Sequence, residues 1–188
     1  MSLEDRQRWD AKYAAKSLPD RLAPDDWLVE QASVLPPGRA LELACGLGHN
    51  AIWLAQQGWQ VDAVDVSPAG LELARRFADC HGARVNWIAA DLDNFEAESQ
   101  AYDLVLVFRF LDRRRLPPLI ESALRPGGLL LYETFTRAHL SRPDSHMRNP
   151  EFALAPGELP RLFPSLAVAL YSESDLADRS VARLAAGK

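Results

Sequence analysis

The stretch that decides the fold is Arg39-Ala40-Leu41-Glu42-Leu43-Ala44-Cys45-Gly46-Leu47-Gly48-His49-Asn50-Ala51, continuing through a helical pattern to Val61-Asp62-Ala63-Val64-Asp65. It reads as a short apolar strand through Leu41, Leu43 and Ala44, then a glycine turn at Gly46-Leu47-Gly48. A helix starts at Ala51 and runs to Gln57, and a second strand ends in a carboxylate. Glycines let the backbone come close to a ligand, and a carboxylate about 20 residues further on can accept hydrogen bonds from ribose hydroxyls. The pattern therefore suits a cofactor that carries adenosine.

The rest of the chain repeats the strand–helix rhythm. Ser67-Pro68 is a cap with proline in the first turn, and Leu71, Ala74, Phe77 and Ala78 give the following helix an apolar stripe. Val85, Trp87 and Ala89 alternate as a third strand that closes at Asp91. Tyr102 to Phe108 is a continuous apolar strand of the kind buried on both faces. Leu116 to Leu124 is predicted helical and ended by Pro126-Gly127-Gly128, with a fifth strand from Leu129 to Phe135. Leu166–Tyr171 and Ser180–Ala185 are two strands too close in sequence for a parallel crossover, so they pair antiparallel.

Upstream, residues 3–16 and 27–35 are predicted helices, the first capped by Ser2, with a loop over 17–27 between them. Together 1–35 form a helical cap. Residues 136–164 carry five prolines and read as a long surface excursion near the acceptor pocket. The expectation is one domain over 1–188, a parallel βαβ sheet with an antiparallel hairpin at its C-terminal end. Ligands in such sheets sit beyond the carboxyl ends of the strands.

Composition narrows the classes. A net charge of −5 argues against a broad nucleic-acid surface. Two cysteines, Cys45 and Cys80, are too few for a disulfide framework. The polar start Met1-Ser2-Leu3-Glu4-Asp5-Arg6 lacks the apolar segment of a signal peptide, and apolar runs such as Leu104–Phe108 are too short to span a bilayer. The expectation is a cytoplasmic protein without a membrane partner, a monomer or homodimer. His49, His81, His139 and His146 show no metal-ligand spacing, so no metal is expected.

Gly46-Leu47-Gly48-His49-Asn50-Ala51 formally matches the dinucleotide fingerprint, so a nicotinamide-dependent oxidoreductase is one alternative. Three features point elsewhere. Glu42 lies inside the strand, where a carboxylate does nothing for a pyrophosphate but suits an ammonium or sulfonium charge. Asp91 ends the third strand, placed to accept from an adenine amino group. Nothing in the chain resembles a separate catalytic domain.

The segments Leu41-Glu42-Leu43-Ala44-Cys45-Gly46-Leu47-Gly48, Val64-Asp65-Val66-Ser67, Ala90-Asp91-Leu92 and Leu124-Arg125-Pro126-Gly127-Gly128, in that order, resemble the class I S-adenosylmethionine-dependent methyltransferases. The resemblance covers about residues 35 to 186. It implies a Rossmann-like three-layer α/β sandwich with a seven-stranded, mostly parallel sheet and a C-terminal antiparallel hairpin. The chain departs from the family at Ala44, where glycine is usual. More loosely, Trp9-Asp10-Ala11-Lys12-Tyr13, Tyr132-Glu133-Thr134-Phe135, and Asn149-Pro150-Glu151-Phe152 with Pro156-Gly157-Glu158-Leu159 resemble the small bacterial tellurite-resistance and thiopurine methyltransferases.

The resemblance implies S-adenosylmethionine as cofactor, S-adenosylhomocysteine as product, and a small-molecule acceptor: a thiol, a selenium or tellurium oxyanion, or another small nucleophile. Ala44, Cys45, Gly46, Gly48 and Asn50 would pass along its methionine part, with Glu42 beside them. Asp65 would hold the ribose, with Val66 also in contact with the cofactor, and Asp91 with Leu92 the adenine. Glu42 and Asp65 read otherwise as strand-end carboxylates held by backbone amides, and Asp91 as a helix or turn cap. Phe108 would line the methionyl side, and Trp9, Tyr13, Arg109 and Tyr132 the substrate pocket. Trp9 and Tyr13 read equally as a helix face packed on the sheet. Arg113, Arg114 and Arg115 read either as an anion site or as a solvated helix start. Phe108-Arg109-Phe110-Leu111 lacks the Asn/Asp-Pro-Pro-aromatic motif of amide-methylating enzymes. A non-catalytic cofactor-binding regulator is the remaining alternative.

Overall fold

The computed structural model describes residues 3–15 and 23–188, so the Ser2 cap and residues 17–22 of the first loop lie outside it. Seven strands form one sheet in the order β3-β2-β1-β4-β5-β7-β6, numbered along the chain with the ranges below. The sheet is mostly parallel and ends in an antiparallel hairpin. The chain falls into two compact units, Met1–Glu96 and Ala97–Lys188.

The first unit holds α1 (Leu3–Ala14), α2 (Asp26–Ala32), β1 (Arg39–Leu43), α3 (His49–Gln56), β2 (Gln60–Asp65), α4 (Pro68–Cys80) and β3 (Asn86–Ala89). β1 and β2 pair in parallel with Leu43 opposite Val64, and β2 pairs with β3 with Asp65 opposite Ala89. The Ser67 hydroxyl accepts from Gly70 N at 3.1 Å, the cap read from Ser67-Pro68. The stripe Leu71, Ala74, Phe77 and Ala78 is buried in full. Phe77 and Ala78 form a cluster with Ile52 and Ala83, against which Trp87 packs. Burying side chains of this size contributes roughly 1.5–3 kcal/mol each, and this fixes α3 and α4 against the sheet.

The second unit holds β4 (Tyr102–Phe108), α5 (Leu116–Ala123), β5 (Leu124–Phe135), α6 (Arg137–Leu140), α7 (Glu158–Arg161), β6 (Ala167–Asp175) and β7 (Ser180–Gly187). β4 and β5 are parallel; β7 lies antiparallel to both β5 and β6. Leu104 to Val107 have no exposure, as a strand covered on both faces requires.

Two expectations fail here. β5 begins at Leu124, so Pro126-Gly127-Gly128 stands inside the strand rather than after the helix as a terminator. The pairing jumps from Tyr102–Leu124 to Leu104–Leu129, a bulge that Gly127 absorbs at φ +80°. The excursion 136–164 is also not a surface loop. Leu154 and Leu159 are fully buried and Phe163 nearly so. Leu154 N donates to Phe135 O at 2.9 Å, and Arg137 N donates to Leu154 O at 2.9 Å. The prolines punctuate short helical turns within a packed segment.

Candidate functional site

Beyond β1 the backbone turns through three left-handed residues in five: Ala44 at φ +57°, Gly46 at φ +57° and Gly48 at φ +68°. Cys45 N donates to Val64 O at 3.0 Å and Gly48 N to Cys45 O at 2.9 Å, so the turn grows directly out of the parallel ladder. At Ala44 the left-handed conformation costs about 1–2 kcal/mol relative to glycine, which explains the family's usual glycine. A Cβ on Gly48 would lie 2.3 Å from the Trp87 ring, and one on Gly46 would lie 2.9 Å from the Tyr13 hydroxyl. Trp87 thus dictates Gly48 from inside the fold. Cys45 is buried, and burial, reinforced by Glu42 and Asp65, pushes its thiol well above the ordinary range. A thiol held protonated is a space-filler here.

The acids at the strand ends meet backbone amides. Asp65 Oδ2 accepts from Gly46 N at 2.8 Å and Oδ1 from Ser67 N at 2.9 Å. Burial raises its pKa above the ordinary carboxylate value, and the amides to Ser67 and Gly46 oppose that rise. Glu42 Oε2 accepts from Ala51 N at 2.9 Å. The cap residue of α3 is Gly48, which has no side chain to offer, so Glu42 caps the helix from the strand. Each carboxylate oxygen has two acceptor sites, so one amide does not exhaust it. Ala90 N donates to Asp65 O at 3.0 Å and brings the end of β3 alongside. There Asp91 is half-buried with Oδ1 accepting from Asp93 N at 3.0 Å, and Leu92 and Val66 are buried. Asn50 is fully buried with its side chain turned to Asp25.

α1 docks over this turn. Asp10 Oδ1 accepts from the Ser67 hydroxyl at 2.5 Å and from Ala69 N at 3.2 Å, extending the cap of α4. Tyr13 is 8% exposed, with its ring against Gly70 and its hydroxyl over Gly46. Burial, then the Asp65 charge, pushes its pKa far up. Trp9 stacks on Tyr13 at 5.7 Å, and Lys12 Nζ lies 4.2 Å from the Trp9 ring centre. Nothing in the Trp9–Tyr13 segment by itself singles out Asp10. The signal was the Ser67-Pro68 cap, whose open first-turn amides invite another acceptor.

The remaining candidates belong to the second unit. Phe108 ends β4, buried. Arg109 follows the strand, exposed, at φ +58°, with its N donating to Glu133 O at 2.8 Å. Tyr132 is fully buried, its hydroxyl donating to Phe110 O at 3.1 Å and its ring edge-on to Phe163. Arg113 pairs with Glu158 at 2.5 Å and donates to Glu151 O and Ala153 O, pinning the excursion. Arg114 and Arg115 are exposed, and their amides donate to Asp112 Oδ1, a helix start.

A groove of about 720 Å³ opens at the amino ends of β1–β3, among Arg39, Asp62, Arg75 and Trp87. It lies at the opposite strand ends from the glycine turn and shares none of the turn's amide donors.

Residues 40–128 match the family of methyltransferase domains. Hemagglutinin 1 of Eikenella corrodens is 35% identical over 105 residues, covering 53% of this chain and 35% of that protein. Ubiquinone biosynthesis O-methyltransferase of Methylocella silvestris is 31% identical over 103 residues, covering 53% and 40%. The chain thus spans about two fifths or less of the length of these two relatives. A solved structure described by the conversion of a disulfide bond into a thioacetal group in echinomycin biosynthesis superposes with a TM-score of 0.79 at 21% identity, covering 97% of this chain and 91% of that one. TehB from Haemophilus influenzae gives 0.70 at 20% identity, covering 97% and 66%. An S-adenosylmethionine-dependent methyltransferase from Mesorhizobium loti gives 0.68 at 19%, covering 87% and 97%. Residues 40–128, a little under half of the chain, are thus similar to methyltransferase domains, and the chain has the Rossmann-like fold of these solved structures. Among the described residues, no helix is long and apolar enough to cross a membrane.

Proposed function

We propose that this chain binds S-adenosylmethionine at the carboxyl ends of β1–β3 and transfers its methyl group to a small-molecule acceptor. One observation carries the reading: the Asp65 carboxylate and the Gly46 amide are joined at 2.8 Å at the mouth of a turn with no side chains at Gly46 and Gly48. Asp65 has acceptor capacity left for ribose hydroxyls. Asp91 and the Leu92 backbone hold the adenine, and Val66 lies along the nucleoside. Ala44 to Gly48 supply main chain to the methionine part, with Glu42 nearby. Tyr13 closes the turn from above, and the cofactor enters when α1 lifts.

The cofactor supplies an electrophilic methyl group. The protein's part is alignment in a dry pocket, where positioning alone is worth on the order of 7–11 kcal/mol of barrier. The ubiquinone O-methyltransferase relative favours a hydroxyl-bearing acceptor over a thiol or a metalloid oxyanion. We place the protein in the cytoplasm as a monomer or homodimer.

Calorimetry with S-adenosylhomocysteine and with NAD tests the first half. Binding of NAD alone overturns the assignment. Release of S-adenosylhomocysteine with a panel of phenols, thiols and tellurite tests the second. Tight binding with no turnover on any of them leaves the cofactor-sensing regulator.

A further inference from the structure

His49 and Asp25, beside the glycine turn, have no part in the cofactor assignment, and the Asn50 side chain, expected along the cofactor, is turned to Asp25 instead. His49, the first residue of α3, places Nε2 3.2 Å from Asp25 Oδ2. The Asp25 side chain is only 3% exposed. Asn50 holds it from both ends: Asp25 N donates to Asn50 Oδ1 at 2.9 Å, and Asn50 Nδ2 donates to Asp25 Oδ2 at 3.4 Å. A carboxylate only accepts, so Nε2 carries the ring's proton and Nδ1 carries the lone pair. Among the described residues Nδ1 has no partner, and the His49 side chain is 20% exposed, enough for contact with a small molecule. A purely structural clamp would bury the ring and use both nitrogens. A ring fixed at one nitrogen by a buried carboxylate and open at the other has the geometry of an oriented base.

We propose that His49 Nδ1 is the proton acceptor for a hydroxyl nucleophile, with Asp25 and Asn50 as positioning residues. This rests on the methyl-transfer reading above. An acceptor oxygen's lone pair forms the new bond to carbon while the carbon–sulfur pair stays on sulfur as a neutral thioether. The hydroxyl proton moves to Nδ1, and the positive charge passes from the sulfonium to an imidazolium facing Asp25. A thiolate needs no such help, so His49 sets a preference for weakly acidic hydroxyl acceptors.

The test uses the full chain, 4-methylphenol and benzenethiol as acceptor probes, and the variants His49→Gln and Asp25→Asn. With 4-methylphenol, kcat falls about 10²–10⁴-fold in His49→Gln, while benzenethiol turnover and S-adenosylhomocysteine affinity stay near those of the wild type. Asp25→Asn gives a smaller loss with the same acceptor selectivity. Independently of activity, nitrogen NMR of the wild-type ring shows Nδ1 unprotonated and Nε2 protonated. Equal losses on both acceptors, no loss on either, a proton on Nδ1, or a wild type that binds cofactor yet methylates no phenol each overturns the base assignment alone. Failure of the wild type to bind S-adenosylhomocysteine instead overturns the reading beneath it.

Discussion

In the first unit the carboxylates of Glu42 and Asp65 accept from the main-chain amides of Ala51, Gly46 and Ser67. In the second unit Glu133 and Glu158 meet guanidinium groups, those of Arg179 and Arg183 for the one and Arg113 for the other. Burial does not separate the two cases, since Glu42 is 2% exposed and Glu133 0%. The partner does. An amide satisfies an oxygen without supplying a counter-charge. A guanidinium supplies the opposite charge, which makes a brace. The same contrast appears in titration: burial raises Asp65 despite its amides, whereas the hydrogen bond from Arg113 lowers Glu158.

The largest expected effect breaks the amide platform itself. Gly48→Ala adds left-handed strain and an overlap with the Trp87 ring, so it lowers stability by about 2–4 kcal/mol in chemical denaturation. A loss under about 1 kcal/mol would mean that the turn re-forms without its glycine.

Next, Asp65→Asn keeps the shape and removes the charge. It weakens S-adenosylhomocysteine binding by more than about tenfold in calorimetry, because a charge-assisted pair becomes a neutral one. In the wild type, affinity falls on acidification from above the ordinary aspartate range, since the protonated acid no longer accepts two hydroxyl donors. An affinity flat down to that range would put the ribose elsewhere.

The brace is tested through stability. Glu158→Gln costs about 1 kcal/mol near neutral pH, a discounted value because both partners are partly solvated. The folded pKa of Glu158 is depressed, so its contribution is present above the unfolded value and is lost as pH falls through the folded one. The variant and the wild type therefore converge in acid. A pH-independent difference would show that packing, not the ion pair, holds the excursion.

The smallest effect is a gain. Ala44→Gly relieves the φ +57° strain but loosens the unfolded chain, for a net stabilisation of about 0.5 kcal/mol in thermal melts. Destabilisation would show that the Ala44 methyl packs usefully.

Most strands were legible because their signals are local: Tyr102–Phe108 came out with its observed bounds, and the closing hairpin came out antiparallel. The Pro126-Gly127-Gly128 reading failed because glycine marks helix ends and bulges alike, and only the facing strand β4 chooses between them. The excursion was misjudged because proline spacing says nothing about Leu154, Leu159 and Phe163 turning inward. In the candidate site, the glycines and the acids at strand ends were legible as residue types at fixed spacing. Their partners were not: Asp10 reaches Ser67 across 57 positions, and Asp25 reaches Asn50 across 25.

The amino-acid sequence alone determined the alternating strands and helices, the glycine turn and the placing of carboxylates at its rim, because periodicity and backbone freedom act over a few neighbouring residues. Tertiary structure decided which of those carboxylates meet backbone amides and which meet guanidinium groups, that Arg113 braces the excursion, and that Tyr13 covers the turn. Those outcomes depend on which groups meet after the chain has closed, and no local pattern encodes a meeting between residues far apart along it.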